Sequence, residues 1–75
     1  MNMNILYFIT YCIGIMASSL NMDQTKVYNT MKMSGILDEF IIPCYDSLHT
    51  FGQDYLIETI KEIMIKRGVI SSIIV

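Results

Sequence analysis

The chain is short of the residues that most chemistry needs. It has one histidine, two cysteines (Cys12 and Cys44) and four isolated glycines in 75 residues. A structural zinc site wants four ligands at recognisable spacing, and His49 with two distant cysteines does not supply them. No pair of glycines brackets a phosphate loop. No Asn-x-Ser/Thr triplet is present, so N-glycosylation is not expected. Five Lys and Arg stand against seven Asp and Glu, a net charge of −2. A nucleic-acid binder shows a basic face, and this balance argues against one. No metal, cofactor or nucleic acid is therefore expected as a ligand. Disorder is excluded from the other side: 53% of the residues are hydrophobic and only 16% charged, the reverse of a disordered composition.

Charge is also absent locally. Residues Met1 to Met22 carry no ionisable Lys, Arg, Asp or Glu, and neither do Gly68 to Val75. The uncharged leader contains a 13-residue apolar run from Ile5 to Ala17. That length fits the hydrophobic region of a signal peptide, and Ala17-Ser18-Ser19 has the small residues a signal peptidase cuts behind. It is short for a bilayer span, which wants about 20 residues. The first basic residues, Lys26 and Lys32, follow the run instead of preceding it, a bias that favours an uncleaved anchor. The sequence therefore reads as residues 1–19, a signal peptide or membrane anchor, and residues 20–75, a small helical domain. On this reading the apolar block contributes nothing to the interior of the finished domain. A core helix of a soluble protein is the third reading of the same run.

The rest of the chain is helical by pattern. Leu56, Ile57, Ile60, Ile63 and Met64 form one apolar stripe at the helical period, with Glu58, Lys61, Glu62 and Lys66 away from it. Asp54 is placed to cap this helix and Gly68 to stop it. Asp23 is placed to start an earlier helix with Val27, Thr30 and Met31 on one face. Ile36 to Ile41 fits a helical turn, with Ser34 as its cap. Pro43 suits the first turn of a third segment that carries Cys44, Leu48 and Phe51 on one face. Gly35, Gly52 and Gly68 are read as the ends of three segments. Residues 69–75 are β-branched and read as an extended arm. The fold class is all-α: a signal or anchor helix, then three to four short helices in a small bundle, with an extended C-terminal tail.

Cys44, Asp46, Ser47 and His49 lie close together, but this spacing does not make an active site. Positions 44 and 49 sit about 140° apart around a helix, so thiol and imidazole do not face each other. The chain is not expected to be an enzyme. Processing after Ser19 would leave Cys44 unpaired, which makes it the candidate for an intermolecular disulfide in a homodimer. The apolar stripe Leu56, Ile57, Ile60, Ile63 and Met64 is the candidate partner-binding face. Met31, Met33 and Met64 are read as core filling in preference to an adaptable surface. The function expected is that of a secreted, non-enzymatic helical protein that binds a protein or lipid partner, as an effector, a venom or salivary component, or a viral factor. The alternatives are a single-pass membrane protein with a retained leader and a truncated gene product.

Overall fold

A computed structural model describes residues 2–70. It is all-helical, with no strand among the described residues. Helix α1 spans Met3–Leu20 and α2 spans Gln24–Met33. A single wide π-helical turn, Leu37–Ile41, leads to the one-turn helix α3, Tyr45–Leu48. Helix α4 spans Gln53–Lys66. The two long helices pack against each other, and α2 packs on the flank of α1.

Local chemistry sets the helix ends. Asn2 Oδ1 accepts from the Ile5 amide at 2.9 Å and opens α1. Asn21, at φ 55°, closes it in the left-handed conformation that asparagine tolerates. Asp23 Oδ1 then accepts from the Thr25 and Lys26 amides at 2.7 and 3.4 Å, so it caps α2 as its position predicts. Ser34 Oγ accepts from the Ile36 amide at 3.4 Å, just ahead of the π turn. Gly35 and Gly68 take positive φ, 83° and 73°, behind α2 and α4. The positive φ is what favours glycine at position 35. A Cβ there would also lie 2.8 Å from Glu39 Oε2 and 3.0 Å from Arg67 Nη1.

Two expected roles change. Gly52 does not end a helix; its extended backbone (φ −65°, ψ 159°) is the N-cap of α4. Asp54 accordingly lies inside the first turn of α4, where a carboxylate suits the helix dipole without capping an amide. Pro43 precedes α3 by two residues. Most of the expected C-terminal arm, residues 71–75, lies outside the described residues, while Val69 and Ile70 rest half-buried against the core.

The core includes α1, whereas a leader lying outside the domain would contribute nothing to it. Among the described residues it is a single cluster of fourteen buried side chains, and α1 supplies five of them: Phe8, Ile9, Cys12, Met16 and Ala17. Cys12 and Met16 are fully enclosed together with Val27, Met31, Ile36, Ile41, Leu56, Ile60 and Met64. The physical reason is periodicity. Phe8, Cys12 and Met16 recur every four residues, with Ile5 and Ile9 beside them, and make a stripe as complete as that of α4. No polar or charged side chain is buried among the described residues. The cluster is therefore held by apolar burial and packing, which are non-directional and scale with area.

Candidate functional site

Helix α4 turns its stripe inward. Leu56, Ile60 and Met64 have no exposure, and Ile57 and Ile63 lie half-buried at the margin of the core. Three of the five residues read as a partner-binding face are therefore occupied by the chain's own interior. The outward side of α4 carries Glu58, Glu62 and Lys66, and a Glu62–Lys66 ion pair of 3.3 Å lies along it. An open groove of about 450 Å³ runs beside Ile57, lined also by Ser19, Asp54, Tyr55 and Glu58.

The residues around Cys44 form an aromatic corner. Tyr45 and His49, one helical turn apart, stack with ring centroids 4.6 Å apart and planes 15° from parallel. Phe8 of α1 meets Tyr45 edge-on at 5.4 Å. His49 Nδ1 lies 2.8 Å from the Tyr45 carbonyl oxygen, an acceptor only, so this nitrogen carries the hydrogen. Imidazole and Cys44 are not hydrogen-bonded, and Asp46 does not reach His49. Cys44 is a half-buried free thiol, packed against the core. Cys12 is also free and wholly enclosed, and burial pushes its thiol pKa up from 9.0 to about 12. Desolvation of the thiolate is the cause, and it makes this sulfur inert. Among the described residues no three His, Cys, Asp or Glu side chains converge as a metal site.

At the far end of the molecule Arg67 joins two elements. Its Nη1 donates to the Ser34 carbonyl at 2.8 Å and to Glu39 Oε1 at 3.1 Å. The contact ties the end of α4 to the turn behind α2. It is solvent-facing, so it contributes a few tenths of a kcal/mol to about 1 kcal/mol.

The surface feature with no internal explanation is the outer side of α1. Met3, Leu6 and Tyr7 are exposed, Tyr7 to 64%; Tyr11 beside them is exposed too, with its hydroxyl donating to Gln53 Oε1 of α4 at 3.5 Å. Thr10 and Ser18 are exposed between and beyond them, and a Cβ built on Gly14 would meet nothing within 4 Å. Glycine in a helix interior costs about 1 kcal/mol against alanine. The surroundings of Gly14 within the chain return nothing for that cost. Sequence reasoning missed this face because it took the whole helix as a leader. The signal was present as Met3, Tyr7, Thr10 and Gly14 at alternating spacings of four and three. By length and composition α1 is also long and apolar enough to cross a membrane.

No curated protein and no solved structure matches the chain. One family does, over residues 7–67, from the second turn of α1 to the residue that closes α4. That span takes in all fourteen buried side chains, and the chain belongs to this family, DUF3791, of unknown function.

Proposed function

We propose that this chain is a small, non-enzymatic helical protein that keeps α1 as part of its domain and binds a protein partner through the outer face of that helix. The observation that carries the reading is the face itself: four large apolar side chains exposed on a helix whose other side is core. A contiguous exposed apolar patch on a small domain is an interaction surface or an aggregation liability. The separation of Cys44 from His49, and the tethering of His49 Nδ1 to backbone, support a non-catalytic role.

Secretion with cleavage after Ser19 is the rival reading, and the apolarity of α1 favours it. Packing weighs against it. Cleavage would remove Phe8, Ile9, Cys12, Met16 and Ala17 from the core, and the family match crosses the cleavage point. Fifty-six residues without them would have to form a core from what remains. A retained, membrane-spanning α1 meets the same objection, since those side chains would have to leave the interior.

Two measurements test the proposal in the cells that make the protein. Intact mass of the isolated product is expected to retain residues 1–19; a chain beginning at Leu20 overturns the reading. A photo-cross-linking amino acid at position 7 is expected to give protein adducts. Adducts to lipid alone would establish the anchor instead.

A further inference from the structure

We propose that the occupant of the outer face of α1 is a second copy of this chain, docked as an antiparallel α1–α1 pair about a two-fold axis between Thr10 and Tyr11. This rests on the reading of that face as a protein-binding surface and says which protein it takes.

The face is graded in size along its length. Met3 and Tyr7 fill the side N-terminal to that axis, and Gly14 and Ser18 leave the C-terminal side low. An antiparallel two-fold sets Met3 of one copy over Ser18 of the other, and Tyr7 over Gly14. Each large side chain meets a small one, twice over, as an isologous interface demands. A parallel pair would set Tyr7 against Tyr7 and leave the space over Gly14 empty. The alternating four-and-three spacing of Met3, Tyr7, Thr10 and Gly14 is that of a helix–helix seam.

Charge agrees with shape. Helix α1 has no acidic residue in its first turn and no basic residue in its last, so no side-chain charge offsets its dipole at either end. Antiparallel docking brings the positive N-terminal end of each copy beside the negative C-terminal end of the other. No ionised side chain lies on the helix to oppose the approach of two molecules that each carry −2. A bilayer fits the face less well. Asn4, Thr10 and Ser18 interrupt its apolar surface, and the basic flank that usually accompanies an interfacial helix is missing from α1.

The 18-residue helix is about 27 Å long, so a single helix–helix contact falls in the small interface class, below about 1,200 Å² in total. Association is accordingly weak and depends on concentration. Sedimentation equilibrium of the full chain from about 10 μM to about 1 mM is expected to show monomer passing to dimer. Gly14→Leu separates docking from folding. The added side chain enters open space and favours helix, so the dilute monomer should melt at a higher temperature while dimerisation falls at least tenfold. Orientation is read by oxidative cross-linking in a Cys44→Ala background. Thr10→Cys should link to itself, Met3→Cys should not, and Met3→Cys mixed with Ser18→Cys should link.

A chain that stays monomeric throughout the range overturns the proposal, as does a Gly14→Leu variant that dimerises like the wild type, or a Met3→Cys variant that links to itself. Monomer in solution together with flotation on phosphatidylcholine vesicles overturns it in favour of lipid. If the chain is monomeric yet position 7 cross-links to a different protein in cells, the second copy is excluded and the protein-binding reading stands. If position 7 gives no protein adduct, both fall.

Discussion

Helices α1 and α4 look unlike each other in sequence and do the same work inside the molecule. Met16 of α1 and Ile60 of α4 are equally enclosed, and each belongs to a stripe that meets the other across the core. Their outer sides differ. Helix α4 shows Glu58, Glu62 and Lys66 to water beside Tyr55, whereas α1 shows Met3, Leu6, Tyr7 and Tyr11 with no charged side chain among them. The lack of charge that makes α1 resemble a leader is thus a property of its outer face and carries no information about its inner one.

The equivalence of the inner faces is broken most severely by deletion. A chain of residues 20–75 is expected to lose cooperative thermal unfolding by circular dichroism, because more than a third of the buried side chains go with α1. A sharp melt from that fragment would make α1 dispensable. Met16→Ala and Ile60→Ala come next, each destabilising by roughly 2–5 kcal/mol in urea titrations. A domain of this size has little more stability than that to lose, so a stabilising osmolyte is needed to keep the baselines. A cost at Met16 well below the cost at Ile60 would rank the helices.

Cys12 gives the comparison a pH dependence. Its thiol pKa is about 12 in the folded chain against 9.0 when exposed. The unfolded state therefore releases its proton first, and the thiol's contribution is intact below pH 9 and lost as pH rises toward 12. The slope has an upper bound of about 1.4 kcal/mol per pH unit. The test is the stability difference between wild type and Cys12→Ala, in which the advantage of the wild type should shrink above pH 9 as the wild type falls faster. The smallest effect belongs to the outer face. Tyr7→Lys is expected to change the stability of the dilute monomer by no more than about 0.5 kcal/mol, measured in the same urea titration.

Much of this fold is legible in the sequence where polar and apolar residues contrast. The stripe of α4, the Asp23 cap and the left-handed Gly35 and Gly68 all follow from local rules. Leu48 is buried, with Cys44 and Phe51 half-buried on the same face, as their spacing predicts. Helix α1 is different because its amphipathicity has no polar side to reveal it; Phe8, Cys12 and Met16 are invisible among neighbours equally apolar. Gly52 is ambiguous for another reason, since glycine serves both an extended N-cap and a left-handed C-cap. The wide turn at Leu37–Ile41 depends on one extra residue per turn, below what periodicity over so few positions resolves. Around Cys44, helical spacing keeps thiol and imidazole apart and makes Tyr45 and His49 neighbours. The edge-on contact of Phe8 with Tyr45 brings α1 to this corner, and no local pattern contains it.

The two thiols sit in unequal shelter, one sealed among apolar side chains and one half-open beside a short helix. An alkylating reagent applied briefly should consume a single equivalent while the interior is closed and two once it opens. The molecule thus carries its own gauge of integrity, readable by mass inside a living cell without a tag.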